Sequence, residues 1–103
     1  KNEPPKSKFD VALALDCSDS SRTGGVKDYL GKTKYIVNID HHISNTSFGD
    51  VNWVDPKASS ASEMVFRICK EFKIMNRNIA LALYTGIFTD TGNFTYANAT
   101  NSV

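Results

Sequence analysis

Apolar and polar positions fall into blocks along this chain, and the blocks separate strands from helices. The run Phe9-Asp10-Val11-Ala12-Leu13-Ala14-Leu15 is nearly all apolar and stops at Asp16. A short, near-continuous apolar run of this kind predicts a strand covered on both faces, as in a parallel sheet. Lys34-Tyr35-Ile36-Val37-Asn38-Ile39 has the same form and also stops at an acid, Asp40. Phe48 to Val54 predicts a short extra strand anchored by Trp53, closed by the turn dipeptide Asp55-Pro56.

Between these runs the pattern changes. Residues 1–8 carry adjacent prolines and several charges and read as a linker or loop. Residues 17–25 are polar and end in Gly24-Gly25, which predicts a loop. A short helix is expected from Val26 to Leu30, with Gly31 as its left-handed cap. Ser60-Ala61-Ser62-Glu63 matches a capping box, a serine cap with an acid three residues on. Beyond it Ala61, Met64, Val65, Ile68, Cys69 and Phe72 recur at helical spacing. Asn76 predicts the cap of a further helix, Arg77 to about Thr89. Its run Ile79-Ala80-Leu81-Ala82-Leu83-Tyr84 is apolar all round and predicts central burial. Asp90 to Tyr96 reads as a polar loop leading into aromatics. Strands alternating with helices give an α/β fold, a parallel sheet with flanking helices.

Composition narrows the class. At 103 residues the chain holds at most one small domain. A net charge of +1 supplies no field that would recruit nucleic acid or a membrane. A nucleotide substrate stays open, because a metal can supply positive charge locally. Cys17 and Cys69 form no Cys-x-x-Cys pair; Cys69 reads as a buried thiol and Cys17 as a packing residue more than a ligand. Nothing points to an oxidising compartment, a secretory signal or a membrane-spanning run, so a cytoplasmic location is expected. The chain starts at Lys1 without a methionine, so a fragment or a processed piece is expected.

The candidate chemistry lies at the ends of elements. In open α/β sheets, ligands gather at the carboxyl ends of parallel strands. Asp16 ends one strand and Asp40-His41-His42 ends another; Asp90 follows the apolar helix. Carboxylates and imidazoles on one rim are the donor set of a divalent metal site, and imidazole suits Mn²⁺ better than Ca²⁺. Two-metal phosphoryl chemistry uses such a set, with cations about 3.5–4 Å apart. Each residue also has a plain structural reading. Asp16 could end its strand, Asp40 form a turn, His42 be a satisfied polar side chain and Asp90 a cap. Arg22 and Asp19 could be loop charges, Ser59 and Ser60 helix caps, and Phe94 and Tyr96 packing residues.

Taken together, these strings resemble the DHH phosphoesterases from about residue 9 to residue 100. Leu15-Asp16-Cys17-Ser18-Asp19 is similar to the family's second motif, Asn38-Ile39-Asp40-His41-His42 to its third, and Thr85-Gly86-Ile87-Phe88-Thr89-Asp90-Thr91-Gly92 to its fourth. Asp55 to Ser60 and Phe94-Thr95-Tyr96 resemble the branch that degrades very short RNAs and dephosphorylates adenosine 3′,5′-bisphosphate. The resemblance implies that Asp16 bridges a pair of Mn²⁺ ions, with Mg²⁺ or Co²⁺ as substitutes. His41 and Asp90 would ligate them, and Asp40 would hydrogen-bond and orient the imidazoles. His42 would face the scissile phosphate as donor or general acid, and Arg22 would bind a substrate phosphate.

The chain departs from the family pattern at both ends. The His/Asp-rich first motif has no counterpart in residues 1–15, and no glycine-rich C-terminal substrate domain follows. Residues 1–103 are therefore expected to be a partial DHH domain that binds metal weakly and turns over little by itself. Apolar sheet surface left uncovered would favour a homodimer. The implied parent activity is hydrolysis of short oligoribonucleotides and adenosine 3′,5′-bisphosphate by metal-activated water. Its rivals are a cyclic-dinucleotide phosphodiesterase, a manganese pyrophosphatase, a non-catalytic nucleotide-binding module and a purely structural domain.

Overall fold

The structure, a computed structural model, describes residues 8–100 and residue 103. The linker expected over residues 1–8 therefore lies, but for Lys8, outside the described residues. The chain divides into two compact units, one up to Val54 and one from Asp55.

The first unit is a parallel sheet. Strands β1 (Val11–Leu15), β2 (Tyr35–Asp40) and β3 (Val51–Val54) lie in the order β1-β2-β3. Val11 aligns with Tyr35 and Leu15 with Ile39; Val37 aligns with Val51 and Asp40 with Val54. All three strands run the same way, so their carboxyl ends share one rim. Alternation along β1 puts Ala14 on a covered face, while Val11, Leu13 and Leu15 stay 47%, 64% and 47% exposed. This corrects the expectation that both faces are covered. An apolar run records what a strand can bury, and the packing partner decides which face is buried.

The segment after β1 is more ordered than a loop. A 3₁₀ helix spans Ser20–Val26, its first turn capped by Asp19, whose carboxylate accepts from the Ser21 N–H at 2.7 Å. Gly24, at φ 58°, breaks it before α1 (Lys27–Leu30). Gly31 is right-handed, at φ −66°, and not the left-handed cap expected. Tight turns explain the difference. Lys32 N–H donates to Tyr29 O at 3.0 Å, and the Thr33 hydroxyl donates to Leu30 O at 2.8 Å. The open carbonyls of α1 are thereby satisfied without a left-handed residue.

The second unit pairs α2 (Ala61–Glu71) with α3 (Arg77–Asp90). Ser60 caps α2, its hydroxyl accepting from Glu63 N–H at 3.0 Å. Glu63 answers through Ser59, accepting its N–H at 2.7 Å. Ala61, Met64 and Cys69 are buried on one side of α2. Asn76 caps α3 through Ile79 N–H at 3.0 Å. The helix runs to Asp90, so that acid is its last residue and not a loop residue. Central burial of α3 is not found: Leu81 is 64% and Tyr84 55% exposed. Gly86 is the point of close approach, where an added Cβ would collide with Ser62 of α2. Tyr84, Phe88 and Phe94 form an aromatic trio with ring centroids 5.8–6.3 Å apart.

Candidate metal centre

The rim of the sheet gathers the carboxylate and imidazoles because β1 and β2 are parallel neighbours in register. With Leu15 beside Ile39, the next residues of both strands emerge together: Asp16 on one, Asp40-His41-His42 on the other. Asp16 N–H donates to Ile39 O at 3.0 Å and ties the turn to β2. At that point Asp16 enters the left-handed region, φ 56°, uncommon for a side chain with a Cβ. Its Oδ1 lies 3.5 Å from His41 Nε2 and 3.7 Å from His42 Nδ1. One donor atom from each of the three residues falls within 4.8 Å of the others.

These residues fit a cation. Metal–nitrogen and metal–oxygen bonds of about 2.0–2.2 Å put two ligands of one ion no more than about 4.4 Å apart. The Asp16–His41 separation of 3.5 Å falls inside that limit. One carboxylate and imidazole nitrogen suit Mn²⁺ and its transition-metal neighbours. The His41 side chain is 14% exposed and that of Asp16 51%, so the carboxylate side opens to solvent. The two imidazoles meet edge to face, centroids 4.8 Å apart.

Asp40 stands behind this cluster, completely buried. Its Oδ1 is 2.7 Å from His42 Nδ1, and its Oδ2 accepts from Asn45 Nδ2 at 2.6 Å. Burial pushes its pKa up, but the His42 and Asn45 hydrogen bonds, the His42 charge and the His41 N–H together hold it below the usual carboxylate value. Asp40 is therefore ionised at neutral pH. A carboxylate can only accept, so the shared hydrogen sits on His42 Nδ1.

The structure thus brings together Asp16, Asp40, His41 and His42. It groups His42 with Asp16 and His41 on the rim where the strand ends had put carboxylates and imidazoles together. Asp90 lies in the other unit, half-buried at the end of α3, with its backbone carbonyl accepting from Asn98 Nδ2 at 3.1 Å. Arg22 is exposed on the 3₁₀ helix and donates to the buried Ser18 hydroxyl at 3.2 Å. Sequence reasoning missed Asn38 and Asn45. Asn38 had a visible signal, a polar residue inside an otherwise apolar run; Asn45 sat in a polar loop with nothing to mark it.

Comparison with known proteins bears on this site. The DHH family, N-terminal domain, matches residues 3–87. The bifunctional oligoribonuclease and PAP phosphatase NrnA of Thermus thermophilus is 38% identical over 88% of this chain and 27% of its own length. Its namesake in Bacillus subtilis is 34% identical over 96% of this chain and 33% of its own length. An exopolyphosphatase-related protein from Bacteroides fragilis, known from a crystal structure, superposes with a TM-score of 0.81. It is 34% identical and covers 89% of this chain and 28% of its own. The chain thus spans about a quarter to a third of the length of these relatives. With a matched region covering most of its residues and three parallel strands that carry the Asp-His-His rim, the chain belongs to the DHH family, in its N-terminal domain.

Proposed function

We propose that the protein is a metal-dependent phosphoesterase that hydrolyses short oligoribonucleotides and adenosine 3′,5′-bisphosphate. The observation that carries this reading is the convergence of Asp16, His41 and His42 within 4.8 Å, backed by the buried carboxylate of Asp40. The names of the Thermus and Bacillus relatives support the substrate class. Because the chain spans only part of those relatives, the complete reaction is assigned to the protein at its full natural length. Free Cys17 and Cys69 suit the reducing cytoplasm proposed for it. Among the described residues no helix is long and apolar enough to cross a membrane.

Asp16 and His41 would hold the cations, Mn²⁺ before Mg²⁺ or Co²⁺, and the resemblance to the family adds Asp90 as a ligand. Such ions, when bound, supply Lewis acidity at the phosphate and lower the pKa of water. Asp40 keeps a hydrogen on His42 Nδ1 and so fixes the ring. His42, protonated on both nitrogens, would donate from Nε2 to the oxygen leaving phosphorus. Arg22 would meet a substrate phosphate with its guanidinium fork.

A second reading, hydrolysis of a phosphoanhydride, draws support from the likeness to the exopolyphosphatase-related protein. The test is Mn²⁺-dependent hydrolysis by the full-length protein. It is offered adenosine 3′,5′-bisphosphate, a short RNA, a cyclic dinucleotide, pyrophosphate and polyphosphate, with His41→Ala as control. Cleavage of the first two, lost in the variant, is expected. Cleavage of phosphoanhydrides alone moves the assignment to the second reading. No cleavage at all overturns both, in favour of a non-catalytic nucleotide-binding module.

A further inference from the structure

Asn38 and Asn45 form a chain of amides behind the Asp-His-His string and have no part in the roles above. Asn38 is completely buried in β2, where a plain aliphatic side chain would pack without needing partners. Its Nδ2 donates to Ala14 O at 3.2 Å and Cys17 O at 3.0 Å, the carbonyls on either side of Asp16. Its Oδ1 accepts from Asn45 Nδ2 at 2.8 Å. That same Asn45 nitrogen reaches Asp40 Oδ2 at 2.6 Å and Cys17 O at 3.3 Å.

Asn45 is itself held through its side-chain oxygen and its backbone N–H. Its Oδ1 accepts from Ser47 N–H at 2.7 Å, and its backbone N–H donates to His42 O at 3.1 Å. An amide NH₂ has two hydrogens. The two shorter contacts, to Asp40 and Asn38, take them, and the longer Cys17 contact is secondary. One side chain therefore sits at the junction of both halves of the candidate site. Through Asp40 it governs His42. Through Asn38 it governs the left-handed turn that presents Asp16.

We propose that Asn45 is a positioning residue of the metal centre: its amide fixes which oxygen of Asp40 faces His42 and, by way of Asn38, holds the Asp16 turn in place. The inference rests on the proposed function for its catalytic consequence, not for its geometry. Without the Asn45 donor, Asp40 Oδ2 is buried with its partner gone, and the carboxylate can turn to seek another. The His42 Nδ1–H bond then loses its fixed acceptor, and Asn38 loses the donor that locks its orientation.

The test is Asn45→Ala, with Asn45→Ser as the milder replacement that keeps one donor. The first readout is the tautomer of His42 by nitrogen NMR of the metal-free protein, at a pH where the ring is neutral. Wild type is expected as the Nδ1–H form and Asn45→Ala as a mixture. The second is Mn²⁺ affinity by titration, expected to fall about tenfold or more, as for other residues that orient metal ligands. Thermal melts run beside both to show that the fold persists. In the full-length protein kcat should fall with KM little changed. If Asn45→Ala does not fold, Asn45→Ser carries the same measurements. An Nε2–H His42 in wild type overturns the proposal outright. So does a folded variant that keeps the wild-type tautomer and binds Mn²⁺ within about twofold of wild type. A wild type with the Nδ1–H tautomer but without Mn²⁺-dependent hydrolysis sinks the functional reading and leaves the positioning role standing.

Discussion

Replacing Glu63 by alanine removes two contacts from one buried carboxylate, and the structure sets what each is worth. Glu63 is 4% exposed. Its Oε2 accepts from the N–H of fully buried Ser59 at 2.7 Å, and its Oε1 meets Arg67 Nη2 at 2.5 Å. Leaving the Ser59 N–H without an acceptor costs about 1–3 kcal/mol. The Arg67 contact adds less, about 0–1 kcal/mol, because that guanidinium is largely solvated and keeps Asp55 at 3.0 Å. The Ser60 cap survives, since its donor is the backbone of residue 63. A loss of about 2–3 kcal/mol lowers Tm by roughly 10–20 °C in a domain of this size. Glu63→Gln keeps its oxygen for Ser59 but turns an NH₂ toward Arg67, losing that contact together with the charge, so it should cost about 1 kcal/mol at neutral pH. Its pH dependence gives a second check. Burial pushes the Glu63 pKa up, but the Ser59 hydrogen bonds and Arg67 bring it below 4.5. The unfolded chain then takes up the proton first as pH falls. The stability from ionised Glu63 is complete above the unfolded value and is lost as pH drops through the folded one. Circular-dichroism melts at neutral pH and at about pH 3 should show the gap between wild type and Glu63→Gln closing in acid. An alanine variant melting within about 2 °C of wild type, or a glutamine gap that widens in acid, would refute this account.

Two further substitutions probe the site and its support. Asp40→Asn leaves one acceptor where two are in use. If its oxygen keeps the Asn45 donor, its NH₂ faces His42 Nδ1 and can no longer accept from it, which disfavours the doubly protonated ring that the proposed acid needs, so kcat/KM of the full-length protein should fall by about 10²–10⁴. An unchanged rate would show that His42 does not act through its Nδ1–H form. Gly49→Ala puts a Cβ at 2.9 Å from Val51 O, 3.0 Å from Ile36 O and 3.1 Å from Asn38 N, all backbone atoms. Urea unfolding should show a loss of about 1–3 kcal/mol. Gly25→Ala, with nothing within 4 Å, should unfold like wild type.

How much of this was legible in the sequence depended on whether local or tertiary forces decided the outcome. The strands, the Ser60 and Asn76 caps and the spacing of α2 rest on residues close in sequence, and they appear where the pattern put them. The Asp16 and Asp40-His41-His42 rim was legible too, because strand ends mark it. What could not be read was cover. The apolar residues of β1 and α3 record a capacity for burial, yet Leu13 and Leu81 are each 64% exposed. The 3₁₀ helix at Ser20–Val26 was hidden because serine, threonine and glycine read as loop, while the Asp19 cap organises them. Asn45 was illegible for a different reason: its acceptors lie on Asn38, Asp40 and Cys17, and only the paired strands bring those atoms together.

The same pairing bears on how His42 divides its chemistry under the proposed function. Its Nδ1 lies 2.7 Å from Asp40 and 3.7 Å from Asp16. One nitrogen cannot hold a hydrogen against Asp40 and give its lone pair to a cation beside Asp16. Asp40 is fully buried, ionised and braced by Asn45, so it keeps the nearer claim. His41 has the opposite arrangement, with Nε2 turned to Asp16 at 3.5 Å and a mostly covered ring. Adjacent histidines therefore part company: His41 suits a cation, and His42, fixed through Nδ1, would have Nε2 for the proposed phosphate. A string of three residues can supply both jobs because consecutive side chains leave a strand end in different directions, and because the neighbouring strand ends in an acid at the same level.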